Sequence, residues 1–185
     1  MKASDSWSAD ELLTRARAGE ASAFAALVRR YQRTVYSIAL RMLSDRHRAE
    51  DLAQEVFLQL YRTLDNIESD THLSFWLRKV AVNRAIDRMR QESRYDGEPL
   101  SEAAAIVEPV GEDDPLLRRR MAELVAQLPP AARAVVVLRY QEDLDPTDIA
   151  STLDMSINTV KSHLKRSLTL LRARVQGTAI VEDIR

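Results

Sequence analysis

The stretch from Asp145 to Leu171, DPTDIASTLDMSINTVKSHLKRSLTLL, constrains the fold more tightly than any other part of the chain. Its spacing predicts two short helices joined by a tight turn. Asp145 is suited to cap the first, Pro146 to occupy its first helical position, and Asp148 follows three residues after the cap. This helix buries Ile149 and Leu153 and ends at Asp154-Met155. Ser156 then caps a second helix, on which Ile157, Val160, Leu164, Leu168 and Leu171 keep a helical period. Opposite that stripe stand Asn158, Lys161, Ser162 and Lys165, at i, i+3, i+4 and i+7. Any amphipathic hairpin has a polar face, so the pattern alone does not specify a ligand. Two details favour DNA. Lys161, Lys165 and Arg166 stand with no acidic residue between Ser156 and Arg174, and the first turn offers Ser156, Asn158 and Thr159, short groups suited to base edges and phosphates. The unit reads as a helix-turn-helix with its second helix presented to a major groove. Many such turns use Gly where Asp154 stands, but Asp tolerates the left-handed conformation better than most residues.

The rest of the chain is written for helices. Only four Gly and six Pro occur in 185 residues, and the one β-branched run, Val135 to Leu138, sits inside a helical pattern. No apolar segment is long enough to span a bilayer, and the opening MKASDSWSADE lacks the apolar core of a signal peptide. The absence of Cys excludes disulfides and thiolate metal sites and fits a reducing cytoplasm. A net charge of −1 argues against nucleic acid until it is divided. Residues 1–91 carry +3, residues 92–115 carry −7 and residues 116–185 carry +3. Local clustering, not the total, sets the electrostatic footprint on DNA. The acidic segment, ESRYDGEPLSEAAAIVEPVGEDDP, holds two of the Gly and three of the Pro with little periodicity, and reads as a linker between two small helical domains. The expected architecture is therefore all-α: domain 1–91, an acidic flexible linker 92–115, and domain 116–185.

Three longer helical segments are legible before the linker, after a short helix from Ala9 to Ala18 that ends near Gly19. The first carries Phe24, Leu27, Val28, Tyr31, Val35, Ile38, Ala39 and Met42 in one stripe. The second, Ala49 to Leu64, is expected to bury Ala49, Leu52, Ala53, Val56, Leu60, Tyr61 and Leu64. Its opposite face presents Asp51, Gln54, Glu55, Leu58 and Arg62, with Phe57 at the margin; it is either plain solvated surface or a docking face for a basic, partly apolar helix. The third, Ser74 to Glu92, has apolar residues on two sides, with Arg78, Lys79, Arg84, Arg88 and Arg90 among them. The loop before it, NIESDTHLSFW, brings Phe75 and Trp76 to its start. Phe75 is expected in the core. Trp76 could equally be core or, beside cations, a platform for an unstacked base.

Taken in order, these segments resemble a bacterial RNA polymerase sigma factor of the extracytoplasmic-function (ECF) type within the sigma-70 family. GEASAFAALVRRYQRTVYSIALRML is similar to the family's opening helices, AEDLAQEVFLQLYR to its polymerase-docking helix, and SFWLRKVAVNRAIDRMR to its promoter-melting helix. LPPAARAVVVLRYQEDLDPTDIASTLDMSINTVKSHLKRSLTLLR is similar to its upstream-promoter reader. The resemblance implies docking on the clamp coiled coil and flap of core RNA polymerase, with Asp51, Gln54, Glu55, Phe57 and Leu58 on the clamp. It implies contacts of Trp76, Lys79, Asn83, Arg84 and Arg88 with the melted −10 element. It implies that Ser156, Asn158, Thr159, Lys161, Ser162, Lys165 and Arg166 read the −35 element. It places the linker in the polymerase cleft as a nucleic-acid mimic. It also implies an anti-sigma factor that clasps both domains, often anchored in the inner membrane, and a cytoplasmic initiation factor with no cofactor, metal or small-molecule substrate. After the acidic pair of the melting loop the family often has an aromatic or small residue, where this chain has Thr71-His72-Leu73.

Two other classes compete on the residues alone. Catalysis is poorly supported: His47, His72 and His163 are scattered, no Gly-rich phosphate loop occurs, and Asp51 and Glu55 lack a His partner for a metal site. A stand-alone helix-turn-helix regulator needs only the C-terminal reader. It has no use for the Asp51-Gln54-Glu55 face or for the Arg-rich third helix.

Overall fold

A computed structural model describes residues 7–95 and 115–182. The described residues form α1 (Ala9–Arg17), α2 (Ala21–Leu43), α3 (Arg46–Thr63), α4 (Asp70–Tyr95), α5 (Pro115–Ala126), α6 (Pro130–Tyr140), α7 (Pro146–Leu153) and α8 (Ile157–Glu182), with a short 3-10 turn at Leu64–Asn66 and no strand among them. The linker expected at 92–115 lies outside the described residues except at its ends, where α4 runs on to Tyr95 and α5 begins at Pro115.

Local chemistry sets most boundaries. Ser8 and Glu11 form a reciprocal capping box at the start of α1, with Glu11 Oε2 accepting from the Ser8 amide at 2.7 Å. Gly19 turns the chain into α2 at φ 87°, a conformation glycine adopts without a Cβ penalty. Asp45 caps α3 by accepting from the Arg48 amide at 2.8 Å. The long stripe of α2 is as expected: Leu27, Val35, Ile38, Ala39 and Met42 are fully buried, and the helix packs against α1, α3 and α4. Side chains such as Leu27 and Ile38 each contribute about 1.5–3 kcal/mol by leaving water.

Three expectations need correcting. The third helix begins at Asp70, four residues earlier than Ser74, because Ser69 caps it and Leu73 is drawn fully into the core. Tyr61 is not core: it is 66% exposed and meets Phe24 edge-on, with ring centroids 5.1 Å apart. Ile157, placed on the buried stripe of the last helix, is 40% exposed at the first position of α8. The aromatic pair also divides differently. Trp76 packs against the core, while Phe75 is only half-buried and stands outside that cluster.

The C-terminal helices fold around α6, whose Ala134, Val135, Val136, Val137 and Leu138 are all buried. In α7, Asp145 Oδ1 accepts from the amides of Thr147 and Asp148 at 2.7 and 3.0 Å, and Pro146 opens the helix. The two helical groups share one core. Val135, Leu138, Ile149, Leu153 and Val160 belong to the same buried cluster as Val35, Ile38 and Met42. Helix α6 rests on α2 and α4, and α7 on α4.

Candidate nucleic-acid interface

The helix-turn-helix is built as its sequence predicts. Asp154 closes α7 in the left-handed conformation (φ 51°, ψ 45°), its amide donating to the Ala150 carbonyl. Ser156 Oγ then accepts from the Thr159 amide at 3.1 Å, and the two hydroxyls lie 2.8 Å apart, so the first turn of α8 is capped by its own side chains. Val160 and Leu171 are buried and Leu164 is half-buried, which fixes the roll of the helix. That roll leaves Ser156, Asn158, Thr159, Lys161, Ser162, Lys165 and Arg166 exposed together. Three cations, three hydroxyls and an amide on one helix face, headed by the partial positive charge of a helix N-terminus, suit phosphates and base edges.

Helices α3 and α4 are joined by a polar ladder. Glu55 accepts from Arg84 and Arg88 at 2.9 and 2.8 Å. Gln59 Oε1 accepts from Arg84 at 3.0 and 2.8 Å, and Arg88 also donates to the Arg48 carbonyl. Glu55, expected on the docking face, thus stands beside Arg84 and Arg88, expected on DNA. Asp51, Gln54 and Leu58 remain exposed on the far side of α3, while Phe57 is half-buried against the core. The exposed Tyr61 joins Leu58 one turn away; the sequence puts it on the buried stripe because its ring reads as apolar.

The start of α4 is held from outside its own segment. Asp10 of α1 accepts from the Asp70 amide at 2.9 Å, and the Tyr31 hydroxyl of α2 donates to the Asp70 carboxylate. Within the segment, Ser69 Oγ accepts from the His72 amide at 3.2 Å and His72 Nδ1 from the Glu68 amide at 3.3 Å. No local pattern announces Asp10 or Tyr31, because both reach this turn only through tertiary packing.

On the other side of α4, Lys79 donates to Asp154 at 2.9 Å, and Arg78 donates to Glu142 at 2.9 Å. Asn83 is half-buried. Among the described residues, no group of His, Cys, Asp and Glu side chains gathers in a way that could hold a metal ion.

Known proteins give this geometry a context. Residues 27–95 match the Sigma-70 region 2 family, and residues 118–171 match Sigma-70 region 4. The ECF RNA polymerase sigma factor SigW of Bacillus subtilis is 31% identical over 171 residues, covering 85% of this chain and 91% of that protein. Two solved structures share the fold. CnrH in complex with the cytosolic domain of CnrY has a TM-score of 0.67 at 22% identity, over 92% of this chain and 99% of that one. The sigma factor RpoE of Bartonella quintana, in complex with the anti-sigma factor NepR, has a TM-score of 0.69 at 20% identity, over 83% and 96%.

A two-part helical protein whose halves match regions 2 and 4 is a sigma-70-type transcription initiation factor. This chain belongs to the ECF RNA polymerase sigma factors.

Proposed function

We propose that α8 enters the major groove of a −35 element with Ser156, Asn158, Thr159, Lys161, Ser162, Lys165 and Arg166. On the same reading, α4 steadies a melted −10 strand with Trp76, Lys79, Asn83, Arg84 and Arg88. Helix α3 docks on core RNA polymerase through Asp51, Gln54, Glu55, Phe57 and Leu58, with Tyr61 extending that face. The observation that carries the reading is the α8 face: seven contiguous polar or cationic side chains, all exposed, on a helix whose roll is fixed by its buried stripe. The exposed pair Leu58 and Tyr61 beside Asp51 and Gln54 supports docking, since apolar groups within a polar rim are what a partner helix buries.

The protein makes and breaks no bonds. It holds two DNA elements for a polymerase that does the chemistry, and the cost of opening base pairs is offset by stacking and phosphate contacts on α4. Among the described residues no helix is long and apolar enough to cross a membrane. We place the protein in the cytoplasm, under an anti-sigma factor like the partner in the RpoE complex, itself sometimes membrane-held.

The test separates the faces. Lys165→Ala with Asn158→Ala should cut retention of −35-containing DNA by the holoenzyme roughly tenfold or more, as expected for losing one phosphate and one base contact, while leaving capture by core polymerase intact. Asp51→Ala with Gln54→Ala should do the reverse in a pull-down. Loss of both activities in both variants would refute the assignment.

A further inference from the structure

The first turn of α8 holds a side chain that its helix does not bury. Ile157 has the spacing of the apolar stripe, three residues before Val160, yet it is 40% exposed where Val160 is fully buried. It also stands apart from the hydrophobic core and from the partly buried fringe around it, a fringe that takes in Met155 before it and Leu164 two turns on. An exposed apolar residue is common enough on any surface. This one is set among groups of the opposite character. Ser156 and Asn158 flank it in the chain and are both exposed. Exposed Lys161 follows one turn later, at the spacing that shares a helix face.

The hydroxyls of the same turn are already engaged. Ser156 Oγ accepts from the Thr159 amide at 3.1 Å, and the Ser156 and Thr159 hydroxyls lie 2.8 Å apart. Both are committed to capping the helix, so Ile157 and Asn158 are the side chains of this turn that stand clear of the cap. A helix laid in a major groove brings its N-terminal residues to the base edges. The apolar group displayed there is the 5-methyl of thymine, which an aliphatic side chain recognises by contact.

We infer that Ile157 is a specificity-determining residue of the helix-turn-helix: it packs on the 5-methyl group of a thymine in the major groove and so selects an A·T pair at that position. This rests on the placement of α8 in the −35 element. Apolar surface left open in the free chain is covered by the methyl, and uracil at the same position leaves it in water.

The probe is duplex DNA enriched by the holoenzyme, the full chain with core RNA polymerase, from a pool randomised over the upstream element. Each thymine of the enriched element is then replaced in turn by deoxyuridine. This removes the methyl and keeps every hydrogen-bonding group. At one thymine, retention by the wild-type holoenzyme should fall about fourfold, the worth of one buried methyl. Ile157→Ala should retain the thymine duplex about as weakly as the wild type retains the uracil duplex, and should not distinguish the two. Ile157→Val keeps a branched aliphatic surface and should still distinguish them. An enriched element without thymine, or a uracil penalty unchanged in Ile157→Ala, would overturn the inference. So would a loss of core polymerase capture in Ile157→Ala, which would assign the exposed surface to a protein partner. If Lys165→Ala with Asn158→Ala also failed to weaken retention, the placement of α8 itself would fall. Weakened retention in that variant beside indifference to uracil would keep the placement and discard the role of Ile157 alone.

Discussion

Asp145 and Asp154 frame α7, and each does what its side chain is chemically suited to do. Asp145 takes two backbone N–H groups at the start of the helix, and those bonds, with the Thr147 hydroxyl and the charge of Arg139, hold its carboxyl below the usual carboxylate value of 3.8. A carboxyl whose pKa is lowered by folding stabilises the native state fully above its unfolded value. That contribution is lost as pH falls through the lowered value. The helix-turn-helix should therefore weaken in acid below about pH 4. Asn caps a helix as well as Asp but does not titrate. Asp145→Asn should keep neutral-pH stability close to the wild type while flattening the acid limb of a thermal-melting series. An unchanged acid limb would remove Asp145 from the account. Asp154 has a second load: its left-handed backbone is tolerable for Asp and strained for a branched residue, and its carboxylate holds Lys79.

At the scale of elements, the start of α4 is held by its neighbours as well as by its own cap. Its cap is made locally by Ser69, but the Asp70 amide is taken by Asp10 of α1, and Tyr31 of α2 holds the Asp70 side chain. Helix α1 lies outside the segment that matches region 2, yet it steadies the turn that begins α4. Asp10→Ala should leave α2 and α3 intact and loosen this turn. Hydrogen exchange at the Asp70 amide should speed up about tenfold, in line with losing one charge-assisted bond of roughly 1.5 kcal/mol. Asp10→Asn should restore part of the protection. The ladder of Glu55 and Gln59 with Arg84 and Arg88 clamps α3 to α4 further along. With the carboxylate 45% exposed, each of its ion pairs is worth at most about 1 kcal/mol. Its value is in fixing the rotation of one functional helix against another.

For the whole molecule, the decisive side chain is Arg133. It is 7% exposed, it donates to the Met42 carbonyl, and burial pushes its guanidinium down to about 10. A base whose pKa is lowered by burial costs stability while it is charged, so the contact between the halves gains only as pH rises through about 10 toward the ordinary arginine value. At neutral pH the charge is carried at a loss. Arg133→Met keeps the aliphatic length and removes the charge together with its unmet Nε. It should leave the urea midpoint unchanged or raise it, by an amount equivalent to about 1–3 kcal/mol. A large destabilisation would mean that the guanidinium bonds hold the halves together.

Much of this molecule was legible from residue order alone. Periodicity fixes which face of α2 is buried, the caps at Asp145 and Ser156 fix the two helices of the helix-turn-helix, and the gap between Ser156 and Arg174 without acids marks the cationic face. These are consequences of neighbours within one or two turns, where the spacing of side chains follows directly from helical geometry. Tertiary structure alone decided that Tyr61 stands outside while Leu73 goes in, and that Asp10 and Tyr31 hold the head of α4. It also decided that Glu142 and Asp154 sit on Arg78 and Lys79. Those pairs are separated by tens of residues, and no local rule of period or capping links them. They exist because packing one apolar face against another carries the remaining side chains into contact.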